Sequence, residues 1–223
     1  MPVFNEEATV EQAVREVLGV DLGIETEILL VDDGSTDRTS EILDRTEWPA
    51  NVRVLRHEAN RGKGAAVRTA LSEARGEFSA IFDADLEYDP ADLGALLPPL
   101  VDGHTNAVFG VRAFDGYTSH SFLFVMGNKG VTLFANLLFN VYLRDLMTCH
   151  KAIRTDVFRS LPLTAAGFAI EPEIAATLLK RGEQIYEVPV RYKARTNEQG
   201  KKLTAYDGVR VLAMLVRCRF ART

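Results

Sequence analysis

The sequence predicts an α/β protein built on a mostly parallel sheet flanked by helices. Three observations carry that expectation. Short apolar runs alternate with helical patterns through the first half of the chain, which is the spacing of βα units. Several of those runs stop abruptly at carboxylates, amides or glycines, and ligands bind at that edge of an open α/β sheet. The composition, 47% hydrophobic and 26% charged over 223 residues, is that of a globular protein with one sizeable core.

Taken in order, Met1-Pro2-Val3-Phe4-Asn5-Glu6-Glu7 reads as the end of a strand and a turn. Ala8 to about Val20 reads as a helix, with Val10, Val14, Val17 and Leu18 on one face. The run from Glu27 to Val31 is a buried strand that ends in Asp32-Asp33-Gly34-Ser35. A short helix from Asp37 to Arg45 follows. Val52 to His57 then alternates like an edge or half-buried strand. Asn60-Arg61-Gly62-Lys63-Gly64 leads into a helix running to Ala74. Phe78 to Phe82 is another buried strand, Pro90 opens a helical pattern, and Ala107 to Val111 is a further strand.

Phe122 to Leu143 is crowded with apolar residues. Gly127-Asn128-Lys129-Gly130, Asn136 and Asn140 argue against a membrane span, so the stretch is expected to form two helices, buried or lying on a membrane surface. In the last third, Thr155–Leu161 and Ile170–Arg181 read as helices and Gln184–Tyr192 as a strand. A basic loop comes next. Asp207 to Phe220 is a helix with Val209, Leu212, Val216 and Phe220 on one side and Arg210 and Arg217 on another.

Charge is distributed unevenly. Residues 180–223 hold eleven Lys+Arg against four Asp+Glu, a net of +7 on a chain whose total is −5, so residues 1–179 carry −12. The basic part is short and poor in aromatics, which does not point to nucleic acid. Phosphates or an anionic membrane surface fit it better. Cys149 and Cys218 are far apart and read as reduced intracellular thiols. His57, His104, His120 and His150 are scattered and are expected at the surface or in turns.

Asp83-Ala84-Asp85 and Glu87 lie beyond the carboxyl end of a strand. Crowded carboxylates repel one another unless a cation sits between them, and Mg²⁺ or Mn²⁺ takes such oxygen ligands together with substrate phosphates. The plainer alternative is a helix N-terminus where acidic residues favour the dipole; it explains Asp89 well and Asp83 and Asp85 poorly. In a parallel sheet the loops at Asn5-Glu6, Asp32–Ser35 and Asp83–Asp85 share one edge, a pocket of carboxylates, amides and glycines. Carboxylates there can accept from ribose hydroxyls or base N–H groups. Lys63, between two glycines at a helix start, can add positive charge near a phosphate. The glycine spacing is not that of a P-loop.

The chain resembles the inverting family 2 glycosyltransferases of GT-A fold, and within them the polyprenyl-phosphate glycosyltransferases, dolichol-phosphate mannose synthases among them. The matching pieces are Pro2–Glu7, Val31–Asp37, Asn60–Ala66, Asp83–Leu86, Gly110–Arg112, Glu187–Val190, then Arg195 and Gly200-Lys201-Lys202. They occur in family order over nearly the whole chain. The resemblance implies a Rossmann-like GT-A domain that uses a nucleotide-diphosphate-sugar donor and Mg²⁺ or Mn²⁺. It implies a nucleotide-sugar-binding half at 1–111, an acceptor-side half at 112–204 and a basic amphipathic helix at 205–223. Pro2, Phe4, Glu6, Asp33, Lys63, Asp83 and Ala84 would surround the nucleotide. Asp85 would hold the metal bridging the diphosphate, with Asp83 and Glu87 as further metal candidates. Arg112, Arg195, Lys201 and Lys202 would serve the donor and acceptor phosphates. Glu87 stands where mannose synthases carry Gln. The first strand that the family places before Pro2 is absent, so an upstream extension of about five apolar residues is expected.

The implied reaction transfers a hexose from GDP-mannose or UDP-glucose to a polyprenyl phosphate, with inversion. The implied place of action is cytoplasmic, peripheral on the inner face of the membrane. An acceptor phosphate is already ionised and needs no strong base. A sugar-hydroxyl acceptor, on a polysaccharide or glycolipid, would need one, and Glu171 or Glu173 would be candidates, although helix-dipole complementarity explains both more simply. An inactive membrane-associated nucleotide-sugar-binding module is the alternative from another class. A sugar-phosphate nucleotidyltransferase would instead show a glycine- and arginine-rich loop where Asn5-Glu6-Glu7 stands.

Overall fold

The structure is a computed structural model, and it describes residues 1–112, 122–193 and 205–220. Seven strands alternate with helices along them. The first half runs β1 (Pro2–Val3), α1 (Val10–Leu18), β2 (Ile28–Asp32), α2 (Thr39–Arg45), β3 (Val52–Arg56), α3 (Lys63–Glu73) and β4 (Phe78–Ile81). A 3₁₀ turn at Pro90–Asp92, α4 (Leu93–Leu96) and α5 (Pro98–Val101) lead to β5 (Ala107–Arg112). Then come α6 (Phe122–Phe139), β6 (Lys151–Arg154), α7 (Thr155–Ser160), α8 (Ile170–Lys180), β7 (Ile185–Val190) and α9 (Ala205–Phe220).

β1, β2 and β3 pair in parallel in that order, with Pro2 beside Val31 and Ile28 beside Val52. β2 is buried along its whole length, as a continuous apolar run between two neighbours must be. β3 closes the edge, as its half-buried pattern predicts. The second sheet has the order β4-β6-β5-β7. β5 and β7 are parallel, but β6 runs antiparallel to both β4 and β5, so the expectation of uniform parallel pairing from strand–helix alternation fails there. β6 follows β5 after α6 and returns beside it in the opposite direction, with Ala107 opposite Ile153 and Phe109 opposite Lys151.

Part of a first strand is present ahead of the Asn5 turn. Two residues of it pair with β2, and the Met1 amine donates to the Leu29 carbonyl at 2.8 Å. A cavity of roughly 360 Å³, bordered by Met1, Ile28, Leu29, Phe78 and Ile81, lies where the two sheets approach each other.

Successive strand residues feed opposite faces. Phe82, Val108 and Ala152 join one core cluster with Val14, Leu30 and Leu96. Ile81, Phe109 and Ile153 join another with Phe158, Ile174, Leu178 and Leu215. α1 buries Val10, Ala13, Val14 and Val17, with Leu18 of the expected face half-buried against the same cluster.

Three expectations change. The apolar stretch near residue 130 is one helix, α6, and not two. It buries Thr132 and Ala135 but exposes Phe122, Met126, Leu133 and Leu137 along one stripe. In α9 the buried face is Val211 and Leu215, whereas Val209, Val216 and Phe220 of the expected apolar face are exposed. His57 and His150 lie inside the protein, not at its surface: the His57 side chain is 4% exposed and His150 is 1% exposed. No helix among the described residues is long and apolar enough to cross a membrane.

Candidate active site

The carboxyl ends of β1, β2 and β4 open onto one cavity of roughly 340 Å³. Pro2, Phe4, Glu6, Asp33, Lys63, Asp83, Ala84, Asp85, Glu87 and Arg112 all line it. The loops that follow β1 and β2 in the first sheet meet there those that follow β4 and β5 in the second. Arg195, Lys201 and Lys202 lie outside the described residues. Asn5 and Leu86 adopt positive φ angles of 54° and 60° at two of these loops. Asn tolerates that conformation, but a branched Leu pays for it, and such strain concentrates where loops must aim side chains.

A chain of buried charges runs inward from Asp83 and Lys63 on the cavity wall. Lys63 Nζ lies 2.7 Å from Asp83 Oδ2 and 2.9 Å from Glu171 Oε1. Glu171 Oε2 is in turn 3.0 Å from Lys151 Nζ. Lys151 also donates to the Leu146 and Thr148 carbonyls and sits 4.7 Å from the centre of the Phe109 ring. Burial works against the Lys63 charge, yet Asp83, Cys149 and Glu171 raise its pKa well above the usual lysine value. Burial alone would raise the Asp83 carboxyl; the Lys63 ammonium outweighs it and holds that carboxyl below the usual range. Lys63 therefore sits in the wall as a shared, neutralised charge. The α3 N-terminus is also engaged, since the Gly64 and Ala65 amides both donate to the Ala166 carbonyl. A Cβ on Gly64 would meet the Ala165 carbonyl oxygen at 2.1 Å, so only glycine admits that contact.

Asp33, 2% exposed, accepts from the Arg61 amide at 2.9 Å, the Gly62 amide at 2.7 Å and His57 Nδ1 at 2.6 Å. Glu6 accepts from the Thr9 hydroxyl at 2.9 Å. Glu87 accepts from the Tyr192 hydroxyl at 2.8 Å, and its carbonyl accepts from the Lys193 amide at 2.8 Å. Asp85 Oδ1 accepts from the Glu87 amide at 3.0 Å. Asp89 caps the 3₁₀ turn by accepting from the Ala91 amide, the helix-start role anticipated for it.

Asp83, Asp85 and Glu87 are not gathered into one metal cage. Among the described residues no three His, Cys, Asp or Glu side chains are grouped to hold a metal ion. Asp83 is committed to Lys63 and Glu87 to Tyr192. Asp85 on the cavity wall fits a hard cation held by one protein carboxylate and completed by ligand phosphates, the usual arrangement for Mg²⁺.

Arg112 is 6% exposed and makes a two-pronged ion pair with Asp145, at 2.7 and 2.8 Å. Its guanidinium lies 5.1 Å from the Tyr192 ring centre. Glu171 and Glu173 do not line the cavity. Glu173 accepts from the Thr164 amide and hydroxyl and from the Ala165 amide, so it holds a loop. Both glutamates answer to specific partners rather than to the helix dipole alone.

The profile of Glycosyl transferase family 2 matches residues 1–161. The chain belongs to glycosyl transferase family 2. Among its relatives, glycosyltransferase AglJ of Haloferax volcanii is 30% identical over 196 residues, covering 87% of this chain and 62% of that protein. Dolichol-phosphate mannosyltransferase of Pyrococcus furiosus is 26% identical over 224 residues, 97% of this chain and 62% of the relative. The chain thus spans less than two thirds of the length of these two relatives. A crystal structure of glucosyl-3-phosphoglycerate synthase from Mycobacterium tuberculosis with Mn²⁺, UDP and phosphoglyceric acid superposes with a TM-score of 0.76 at 21% identity, covering 100% of this chain and 78% of that one. The fold of this family 2 glycosyltransferase is GT-A, α/β with a mostly parallel sheet.

Several wall residues had no signal in the sequence. Tyr88, Asn128, Met147, Cys149, Gly167, Phe168 and Tyr192 all face the cavity. They are single residues scattered over about a hundred positions, with no motif around them. Asn128 Nδ2 is buried with no hydrogen-bond partner among the described residues. The Cys149 thiol, 3.1 Å from Lys63 Nζ, is pushed well up by burial and by Asp83, so it packs as a neutral thiol.

Proposed function

We propose that this protein transfers a hexose from a nucleotide-diphosphate sugar, GDP-mannose or UDP-glucose, to a polyprenyl phosphate with inversion at the anomeric carbon. The observation that carries the reading is the cavity itself. It combines donor-side loops from β1, β2 and β4 with Arg112, Asn128 and Tyr192 from the other half, and neither candidate glutamate base reaches it. An acceptor that is already an anion needs no general base, which agrees with Glu171 and Glu173 being held by other partners. The names of two relatives, a dolichol-phosphate mannosyltransferase and an undecaprenyl-phosphate 4-deoxy-4-formamido-L-arabinose transferase from Pseudomonas aeruginosa matched over 51% of this chain, point to the same acceptor class.

In this reading Phe4, Glu6 and the loop held by Asp33 receive the nucleoside. Asp85 holds Mg²⁺ or Mn²⁺, which when bound neutralises charge on the departing diphosphate. An acceptor phosphate oxygen attacks the anomeric carbon from the face opposite the leaving group. A new C–O bond forms as the bond to the nucleoside diphosphate breaks, and the protein contributes alignment and charge neutralisation. Arg195 and Lys201, which the family resemblance assigns to the donor and acceptor phosphates, serve those two anions. Arg112, locked to Asp145, holds Tyr192 in the wall.

The membrane is the source of the acceptor. The exposed stripe of α6 and the exposed face of α9, two helices that pack on each other, supply an apolar surface, with Arg217 and Arg219 beside it. The test is to incubate the protein with membranes and a panel of labelled nucleotide sugars. Label entering the lipid phase from one donor supports the reading. Label passing only to water or to a soluble hydroxyl acceptor refutes it.

A further inference from the structure

His57 belongs to no motif in the sequence, yet beside the cavity it links β2, Asp33 and α3. It directly follows β3, and its amide donates to the Asp32 carbonyl at 2.9 Å, extending the β2–β3 ladder by one bond. That bond sets the imidazole beside Asp33, the residue that follows β2. Nδ1 lies 2.6 Å from Asp33 Oδ1, and Nε2 lies 2.9 Å from the Thr69 hydroxyl on α3. An ionised carboxylate only accepts, so Nδ1 carries the proton on that side. The same Asp33 carboxylate accepts from the Arg61 and Gly62 amides. Gly62 and Asn60 line the cavity, while His57 does not.

We infer that His57 is a positioning residue for the donor pocket: it fixes the Asp33 carboxylate, and through it the Asn60–Gly62 backbone that forms one wall. The inference deepens the function proposed above and rests on it for the identity of the ligand. Asp33 alone can rotate about its side-chain bonds. Held by an imidazole that is itself pinned to α3, it keeps both oxygens aimed at consecutive amides. The wall has little room to adjust, because Gly34 and Gly62 pack against backbone there: a Cβ on Gly34 would lie 2.5 Å from Ala59 carbon, and one on Gly62 would lie 2.5 Å from the Ala166 oxygen. A displaced Asp33 therefore shifts the wall that a nucleoside must fit. The arrangement is not a nucleophile with its base, since the hydroxyl partner lies on the far side of the ring from the cavity-facing carboxylate.

Two substitutions separate the Asp33 contact from general packing. In His57→Asn the amide nitrogen stands near the place of Nδ1 and keeps the bond to Asp33. In His57→Gln the amide reaches toward Thr69, and the bond to Asp33 is lost. Binding of UDP and of GDP is measured by calorimetry, alongside hydrogen exchange of the Arg61 and Gly62 amides and thermal stability. The expected result is that His57→Gln weakens binding of the accepted diphosphate roughly tenfold, the scale of one lost hydrogen bond to a charged group, and speeds exchange at both amides. His57→Asn restores both to near the wild-type values. If the two variants behave alike, or if only thermal stability moves, His57 is a packing residue and the inference is wrong. Should the wild-type protein bind neither diphosphate, the proposed function fails, and amide exchange alone then decides whether the clamp exists.

Discussion

His150 makes the most exacting test of the packing described above. Its ring lies between Phe82, at 5.5 Å, and Tyr88, at 4.9 Å, and both ring nitrogens are buried without a hydrogen-bond partner among the described residues. Burial lowers its pKa from 6.5 to about 4, against an opposing pull from Asp92, Asp83 and Asp89. The ring is therefore neutral in the folded protein while the unfolded chain binds a proton at it below pH 6.5. Stability from this group is complete above pH 6.5 and is lost as pH falls toward 4, with a total of about 3 kcal/mol at 1.36 kcal/mol per pKa unit. Between pH 7 and pH 5 the share is about 2 kcal/mol. His150→Leu removes the titrating group and both unpartnered nitrogens at similar volume. Urea unfolding, followed by fluorescence of Trp48, the chain's single tryptophan, gives the stability of both proteins at each pH. The variant is expected to lose about 2 kcal/mol less than wild type over that interval, with other titrating groups cancelling in the difference. Equal losses in the two proteins would falsify the burial argument.

Other expectations can be checked with the same protein. Lys63→Met strands Asp83 in a buried site and takes from Glu171 one of its two cations, so unfolding free energy should drop by about 3–5 kcal/mol; an unchanged urea midpoint would mean the network contributes nothing. Asp85→Ala should abolish metal-dependent transfer while leaving the thermal midpoint within a degree or two, and full activity of the wild type in excess chelator would rule out the metal altogether. Asn128→Ala should raise KM for donor or acceptor severalfold with folding intact, the loss of one ligand hydrogen bond; unchanged kinetics for both substrates would remove it from the site. Leu137→Glu combined with Phe220→Glu should cut sedimentation with anionic vesicles by at least about tenfold, since each side chain would otherwise bury its apolar area in lipid; sedimentation equal to wild type would leave that surface unassigned.

The sequence by itself determined the fold class and the edge of the sheet at which the site lies. Both follow from local rules. Apolar runs of strand length separated by helical periodicity leave few architectures, and a run such as Ile28–Asp32, buried throughout, announces itself by composition. Because βα units all point the same way, the loops at Asn5, Asp33 and Asp85 had to meet, and they line one cavity. Asp89 as a cap and β3 as an edge were legible for the same reason, since each depends on residues within a few positions of itself.

Tertiary structure alone decided what each charge is doing. The sequence shows Lys63 only as a cation at a helix start; the fold sets Glu171, more than a hundred residues away, beside it. His57 looked incidental because its partners, Asp33 and Thr69, come from two other elements. The inward face of α9 was misjudged because the helix carries two apolar stripes, and only its packing on α6 and α8 chooses between them. Periodicity reports which residues share a face, but not which face finds a neighbour. The pairing of buried charges is more remote still from sequence, because Coulomb interactions act through space over a few ångströms and take no account of separation along the chain.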